Sequence, residues 1–300
     1  MKIGPRREIE EEYTRYCAYV RYAVALSHRV EVLGQSFGDT VGVMCYSFAG
    51  KSPASVKSLY SLFKNHDLRA LKFLDQIFSA ENQELYGRRS RKRTLVEYFD
   101  RTYKLESNSI IKSATAFVQK MTDRGHSLGG TPQSVIERLN EAFASPQLRK
   151  STETCIVHGD MNANNVMVAE EDNRVIYIDY SHTGVGPRAV DFAALEGSLR
   201  LATCPMDCAD VLEMSRSEAS TWELIRSTDT LEEEGRPYCE VVSMNLWKYA
   251  RINFEDMDAR ECPATCFLWG ARLFRVTQLE ESERLRMLLW MLQSATSLTG

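Results

Sequence analysis

The sequence has no apolar run that approaches the roughly 20 residues needed to cross a bilayer. Residues 1–12 also lack the apolar core of a secretory signal. The chain contains neither internal repeats nor low-complexity tracts. These absences argue against a membrane-spanning protein, a secreted precursor and a repeat protein. We therefore expect a cytoplasmic protein that has no membrane partner.

The chain also has little excess charge of either sign. Its formal net charge is −4, with 26% charged residues. Such a balance gives no general attraction to nucleic acid or to an anionic membrane, so we expect neither partner. The one dense basic run, Arg88–Arg93, contains no aromatic residue and directly follows Gly87. This composition favours a solvated loop between helices over a contact with a phosphate-bearing substrate or a nucleic acid.

The cysteines are too dispersed to form the disulfide framework of a small secreted protein. Two pairs, Cys204/Cys208 and Cys262/Cys266, have a spacing that could hold zinc. The same spacing places both members on one face of a helix, where cysteine behaves as a small apolar residue. We favour the second interpretation. The eight cysteines are Cys17, Cys45, Cys155, Cys204, Cys208, Cys239, Cys262 and Cys266.

The apolar content of 44% is sufficient for a conventional core, and its periodicity changes along the chain. We expect helix over residues 7–26, a strand over 41–46, and then helices from Ser52-Pro53 and from Thr131-Pro132 onward, with others at 68–85, 95–103 and 110–121. Strand-like runs follow near 155–157, 166–168 and 175–178, and helix returns after Pro187. The pattern predicts an α+β fold, with domains at 1–50 and 51–300.

The most informative stretch is the loop and hairpin that end at Asp179. Asp160 lies in the loop, Asn165 follows five positions later, and Asp179 ends the second strand. Phosphoryl transfer needs such a set, because one carboxylate must accept a hydroxyl proton while another carboxylate and an amide oxygen hold magnesium. Ordinary turn-forming residues at strand ends are the alternative. The complete, ordered set argues against that alternative.

The order of these groups resembles the catalytic and metal motifs of protein-kinase-like enzymes. His158-Gly159-Asp160 and Ile178-Asp179-Tyr180 are similar to the aminoglycoside phosphotransferase and choline kinase branch, as are Gly184–Pro187 and Asp191-Phe192-Ala193. The resemblance implies a protein-kinase-like fold with a truncated small N-lobe and a mostly helical C-lobe that carries the catalytic hairpin.

The resemblance also implies a role for each matching residue. Asp160 looks like the catalytic base, Asn165 and Asp179 look like Mg²⁺ ligands, His158 would organise the loop, and Asp191 would brace it. The implied reaction transfers a phosphoryl group from ATP or another nucleoside triphosphate to a hydroxyl. The acceptor, a small molecule or a protein, is not identified by the sequence.

The first fifty residues resemble the second half of a kinase N-lobe. Lys2 could be the strand lysine that binds phosphate, and Glu8, Glu11 and Glu12 are its candidate partners. Glu12 is favoured because it lies deeper in the predicted helix. Residues 41–46 resemble the strand that leads to the hinge, so backbone groups near Cys45, Tyr46 and Ser47 are expected to hold adenine.

No glycine-rich strand–turn–strand precedes Lys2 in this chain. Three explanations remain open at this point: the chain is a fragment or starts at a wrong codon, a partner supplies the strands, or the protein no longer transfers phosphate. The sequence thus supports two hypotheses. The first is an ATP- and Mg²⁺-dependent phosphotransferase, and the second is a non-catalytic kinase-like module that binds a nucleotide or a partner.

Overall fold

A computed structural model describes residues 1–50, 52, 55–78, 83–87, 92–203, 211–226, 235–253 and 260–299. Cys204, Cys208 and residues 88–91 lie outside these ranges, so the predictions for the first cysteine pair and for most of the basic run stay predictions. Within the described residues, no helix is long and apolar enough to cross a membrane.

The described chain mixes short strands with longer helices, which confirms the predicted α+β class. The strands are β1 (Lys2–Pro5), β2 (Val32–Phe37), β3 (Val41–Tyr46), β4 (Val56–Ser58), β5 (Arg93–Thr94), β6 (Ser151–Thr152), β7 (Thr154–Val157), β8 (Val166–Ala169), β9 (Arg174–Tyr177) and β10 (Gly184–Pro187). The helices are α1 (Arg6–Arg15), α2 (Arg21–Ala23), α3 (Leu59–Lys64), α4 (Arg69–Ile77), α5 (Gln83–Gly87), α6 (Leu95–Tyr103), α7 (Ser107–Asp123), α8 (Pro132–Ala144), α9 (Val190–Ala202), α10 (Val211–Arg226), α11 (Tyr238–Asn253), α12 (Glu261–Phe274) and α13 (Glu281–Thr299).

Backbone packing divides the chain into two compact units. The first unit comprises Met1–Arg91 and Glu153–Leu195, and the second comprises Lys92–Thr152 and Glu196–Gly300. Every site residue predicted from the sequence lies in the first unit. The predicted lobes at 1–50 and 51–300 are a different kind of division and stay a prediction.

The first unit contains an antiparallel sheet in the order β1–β3–β2. Helix α1 packs against this sheet, and Ile9 is buried between them. The close approach requires a glycine on β3, since a Cβ at Gly42 would lie 2.8 Å from the Ile9 Cβ. Glu12 lies one turn farther along α1 and is buried as well. The packing of α1 therefore carries a carboxylate to the edge of the sheet.

The predicted hairpin is present as β8 and β9, with Val166 paired to Tyr177. Strand β4 adds to the outer side of β8, and a separate antiparallel pair joins β7 to β10. Val166 and Val168 on β8 are buried while Met167 between them is partly exposed, which fits a strand with one well-covered face. The loop between β7 and β8 contains Asp160, and Asp179 follows β9.

The segment after α2 connects the N-terminal helices to the hairpin. The Arg29 Nη1 donates to the carbonyls of Val20, Arg21 and Val24 at 3.2, 2.7 and 2.8 Å. His28 Nδ1 lies 2.8 Å from the Val175 carbonyl oxygen on β9. Arg29 itself forms a parallel bridge with Tyr177. The end of the helical stretch is thereby joined to the strand that leads to Asp179.

Three local predictions for the first unit need correction. The helix predicted over 7–26 ends as a regular α-helix at Arg15, continues as a wider turn over Tyr16–Val20, and stops at Ala23. Residues 32–37 form an unpredicted strand. Val56, expected inside a helix from Ser52-Pro53, lies in β4, and Ser58 caps the helix that follows by accepting from the Ser61 N–H.

The second unit is mostly helical, and its helix starts follow sequence signals. Thr94 and Glu97 form a reciprocal capping box at the start of α6, and Thr131 caps α8 with Pro132 at its first position. Helices α12 and α13 bury Trp269 and Trp290. Cys262 and Cys266, the second pair considered for zinc, are buried on α12.

A buried ionic network joins the helices of the second unit. Arg200 on α9 contacts Glu196 and lies 3.1 Å from Glu218 on α10, and its guanidinium stacks 5.0 Å above the Trp290 ring. Arg286 on α13 lies 2.6 Å from the other oxygen of Glu218. All four charged side chains are at most 4% exposed. The charges balance, as buried ions require.

Candidate active site

The loop that carries Asp160 is fixed by a buried carboxylate. Asp191, at the start of α9, accepts the backbone N–H groups of His158 and Gly159 at 2.7 and 2.8 Å. Complete burial raises the Asp191 pKa, although the charge of His158 and these hydrogen bonds oppose the rise. The Tyr86 hydroxyl lies 3.4 Å from the same carboxylate. Asp191 thus makes the contacts expected of a brace.

Gly159 permits the sharp turn before Asp160. Its φ is +81°, a region that side chains disfavour, and a Cβ there would lie 2.3 Å from the His182 carbonyl oxygen. His158 is buried beside it, with Nε2 3.0 Å from the Ile178 carbonyl oxygen and its ring against Tyr177 and Tyr180. His158 therefore holds the loop against the end of the hairpin.

Asn165 links the Asp160 loop to the residue that precedes Asp179. The Asn165 Nδ2 donates to the Asp160 carbonyl oxygen at 2.9 Å, and the Ile178 N–H donates to the Asn165 carbonyl oxygen at 3.0 Å. With Nδ2 engaged in this way, Oδ1 is the atom of the Asn165 amide suited to a metal. The pairing of β8 with β9 thus places Asn165 and Asp179 at the same end of the hairpin.

Asp179 has a left-handed backbone, with a φ of +60°. Such a conformation is rare for a residue with a side chain and is often found at functional sites. The Lys2 Nζ lies 2.9 Å from Asp179 Oδ1. Burial alone would raise the Asp179 pKa, but the hydrogen bond and charge of Lys2 outweigh it, and the pKa lies below its ordinary 3.8.

Lys2 also contacts the helix carboxylate favoured by the sequence. Its Nζ lies 2.6 Å from Glu12 Oε2, while Glu11 pairs with Arg7 on the exposed side of α1. Burial works against the charged form of Lys2, yet Glu12 and Asp179 together raise its pKa above the ordinary 10.5. The ammonium thus joins β1, α1 and the end of the hairpin.

Strand β3, which the sequence predicts to lead to an adenine site, contributes a side chain to the candidate active site. The Tyr46 hydroxyl donates a short hydrogen bond to Glu12 Oε1. Burial and this bond raise the Tyr46 pKa far above its ordinary value, so the phenol stays a donor. The Ser47 N–H donates to the Glu31 carbonyl oxygen at 2.7 Å. That donor is therefore engaged just beyond the paired ends of β2 and β3, and adenine binding at Cys45, Tyr46 and Ser47 stays a prediction.

The residues present suit magnesium. Asp179 offers a carboxylate and Asn165 an amide oxygen, both hard ligands of the kind that Mg²⁺ takes while keeping several waters. Within the ranges that the structure describes, no three or more His, Cys, Asp or Glu side chains cluster as a metal site. The site thus fits a metal that also binds phosphate oxygens better than a metal enclosed by protein ligands.

Sequence reasoning did not find two contacts near the site. It missed the Tyr46–Glu12 hydrogen bond, and it missed the packing of Tyr180 between His158 and Tyr16, with ring centroids 5.5 and 5.6 Å apart. The signal for the first was available, since Tyr46 ends an apolar strand where a hydroxyl needs a partner. Which partner it takes depends on the packing of α1.

Comparison with known proteins gives similar folds at low sequence identity. Glucosamine kinase (crystal form B) has a TM-score of 0.52 at 15% identity, over 96% of this chain and 68% of that one. Glucosamine kinase in complex with glucosamine, ADP and inorganic phosphate has a TM-score of 0.53 at 14% identity, over 97% and 71%. A choline/ethanolamine kinase family protein from Mesorhizobium loti has a TM-score of 0.42 at 12% identity, over 99% and 86%.

The sequence comparisons are less informative. The family described as Ternary complex associated domain 9 matches residues 128–251, which is less than half of the chain. No curated protein matches the sequence. The two glucosamine kinase structures confirm the fold that the motifs predicted. The chain therefore has the protein-kinase-like fold, which it shares with glucosamine kinase.

Proposed function

We propose that this protein is an ATP- and Mg²⁺-dependent phosphotransferase that acts on a hydroxyl group. The observation that carries the proposal is the convergence of Lys2 and Glu12 with Asp179, at the hairpin end that also holds Asn165. A cation and hard oxygen ligands side by side match a bound nucleoside triphosphate and its metal. Turn residues at strand ends would not need this arrangement.

In the proposed reaction, Asp160 accepts the proton of the acceptor hydroxyl. The hydroxyl oxygen forms a bond to the terminal phosphorus, and the bond from that phosphorus to the bridging oxygen of ADP breaks. Lys2 binds phosphate oxygens, while Asn165 and Asp179 hold the metal. When bound, Mg²⁺ offsets the negative charge of the phosphates. His158 and Asp191 keep Asp160 in place through the loop backbone.

The acceptor remains open, and a hydroxyl-bearing small molecule or a protein is proposed. One structural neighbour is a kinase solved with glucosamine and ADP, which makes amino sugars reasonable first compounds to try. We propose no nucleic-acid or membrane partner, since the net charge is only −4. Within the described residues β1 pairs only with β3. Its other edge is where a partner-supplied strand would add.

A second candidate function is a non-catalytic module that binds a nucleotide or a partner. It is favoured by the match of residues 128–251 to a family described as complex-associated. Retention of Asp160 in a braced loop favours the enzyme instead, because a binding module has little use for a catalytic base. Turnover with Mg-ATP and a panel of hydroxyl compounds, compared with Asp160→Asn, separates the two functions.

The first test is thermal unfolding with and without Mg-ATP. A ligand at about 100 times its dissociation constant stabilises the fold by about 2.7 kcal/mol. We expect a rise in Tm that requires Mg²⁺, disappears in Asp179→Ala and persists in Asp172→Ala, a surface control in the hairpin turn. No rise at millimolar Mg-ATP in a cooperatively folded chain would contradict the nucleotide site.

A further inference from the structure

The Glu12 carboxylate is held from two sides. It is 1% exposed, with Oε2 2.6 Å from the Lys2 ammonium and Oε1 accepting from the Tyr46 hydroxyl. A buried carboxylate is tolerated only when its oxygens are compensated. One donor alone would leave the carboxylate free to rotate about its final bond. Two donors on different oxygens fix its plane as well as its position.

The second donor comes from the most constrained strand of the sheet. Strand β3 is hydrogen-bonded on both sides, to β1 and to β2, and Tyr46 is paired with Val32. Lys2 starts from the neighbouring strand, opposite Met44. The phenol and the ammonium therefore leave adjacent strands, two positions apart in register, and meet at one carboxylate. Because β3 is held on both sides, Tyr46 keeps the Glu12 carboxylate in a fixed position.

The Lys2 side chain is more flexible than those of Glu12 and Tyr46, so it depends more on a fixed partner. Its side chain is 35% exposed and reaches Asp179 over four methylene groups. A flexible lysine loses rotamer entropy when it is held in one place, so its contacts must compensate for that loss. The rigid partner within reach is Glu12, and Glu12 is rigid because Tyr46 holds it.

We infer that Tyr46 is a positioning residue that fixes Glu12 and thereby directs Lys2 toward phosphate groups beside Asp179. The inference rests on the proposed function, because phosphate binding is the role assigned there to Lys2. It is distinct from the prediction that the backbone near Tyr46 binds adenine. In this role Tyr46 acts through its hydrogen bond to Glu12 and not by contact with a reacting atom.

The main test measures the dissociation constant of Mg-ATP in a double-mutant cycle. Loss of one hydrogen bond to a buried carboxylate in Tyr46→Phe is expected to weaken binding about tenfold. In a Glu12→Met background, where position 12 has no oxygen to accept from the phenol, the same change is expected to weaken binding less than about twofold. Equal losses in both backgrounds, or no loss in either, would overturn the inference.

Two further variants separate positioning from general stability. Tyr16→Phe removes another buried phenol, whose hydroxyl donates to the Val30 carbonyl oxygen at 3.1 Å without contacting Glu12. It is expected to lower Tm and leave the dissociation constant unchanged. Tyr46→His keeps a ring N–H donor and is expected to bind more tightly than Tyr46→Phe. If Tyr16→Phe weakens binding as much as Tyr46→Phe, the effect is general and the inference fails.

A ligand-free measurement distinguishes failure of this inference from failure of the proposed function. The ¹⁵Nζ signal of Lys2, assigned with Lys2→Arg, is expected to be visible in the wild-type chain because its ammonium protons are hydrogen-bonded. It is expected to broaden in Tyr46→Phe. If the wild-type chain binds no Mg-ATP, the proposed function fails, and this signal alone decides whether Tyr46 positions Lys2. An unchanged signal would exclude the positioning role.

Discussion

The Lys2 Nζ lies 2.9 Å from Asp179 Oδ1, although 177 positions separate the two residues in the sequence. The contact joins the first strand of the chain to the end of the hairpin, and Glu12 joins the same ammonium to α1. The first strand, the helix that directly follows it and the distant end of the hairpin thus meet at one cation. The charges of Lys2, Glu12 and Asp179 compensate one another, so substitution of any one of the three tests the site.

Removal of the Lys2 charge is expected to weaken nucleotide binding. Hydrogen bonds to charged groups contribute about 1.5–3 kcal/mol, so Lys2→Met should raise the Mg-ATP dissociation constant by about 10- to 150-fold. Isothermal titration calorimetry measures this directly. Lys57→Met is the matched control, because Lys57 is a surface lysine that pairs with Glu170. Similar weakening in both variants would contradict a phosphate-binding role for Lys2.

Loss of Asp160, the proposed base, is expected to affect turnover and not nucleotide binding. Asp160→Asn keeps the size of the side chain but cannot accept the hydroxyl proton. General-base catalysis contributes about 10²- to 10⁴-fold, so kcat should fall within that range while the nucleotide dissociation constant stays near the wild-type value. Steady-state kinetics with a hydroxyl compound that supports turnover in the panel described above provides the measurement. An unchanged kcat would remove Asp160 from the reaction.

Gly159 is expected to be intolerant of a side chain. Gly159→Ala combines an unfavourable backbone conformation with a Cβ placed 2.3 Å from the His182 carbonyl oxygen. Gly125 has a similar φ of +82° but nothing within 4 Å of its Cβ position, so Gly125→Ala reports the backbone cost alone. Urea unfolding should show a loss of about 1 kcal/mol for Gly125→Ala and clearly more for Gly159→Ala. Equal losses would show that the loop relaxes.

The Asp179 ion pair predicts a specific dependence on pH. Because the Asp179 pKa is lowered in the folded chain, the pair stabilises the fold fully above the ordinary pKa of 3.8 and loses this effect as pH falls through the lowered value. The Tm difference between wild type and Asp179→Asn should therefore be constant near neutral pH and shrink below about pH 4. A difference that persists unchanged under acid conditions would contradict the ion pair.

The buried network of the second unit is expected to be sensitive to the loss of one member. Arg200→Ala leaves Glu196 buried without its arginine and removes one of the two arginines at Glu218. Breaking such pairs costs about 3–5 kcal/mol. Arg236→Ala, which affects a more exposed pair with Glu240 at 3.6 Å, is the control and should cost less than about 1 kcal/mol. Chemical denaturation measures both changes.

Features encoded by local sequence signals were predictable. The hairpin follows from apolar runs on either side of a polar turn, and the starts of α6 and α8 follow from a leading threonine, with Pro132 following Thr131. The fold class and the resemblance to kinase-like enzymes follow from the ordered set of Asp160, Asn165 and Asp179. In these cases the chemistry of a short segment specifies the structure.

Features that depend on distant pairing were not predictable. Residues 32–37 include Gly34, Gln35 and Ser36, which disfavour a strand locally, yet they pair with β3. Val56 likewise joins a sheet because β8 offers it an edge. The Tyr46–Glu12 bond depends on how α1 packs against the sheet at Gly42. Tertiary contacts override local propensity in each case.

The bonds made by His28 and Arg29 affect how this site could be regulated. Glu12 lies on the helical stretch whose end Arg29 secures, and His28 fastens the following residues to β9, shortly before Asp179. An outward movement of α1 and the turns that follow it, which would separate Glu12 from Asp179, would have to break the hydrogen bonds that Arg29 and His28 make to backbone carbonyl oxygens. We therefore expect inhibitors or regulators of this protein to act at Lys2 and Asp179, where they would compete with the proposed nucleotide, and not to displace the helix.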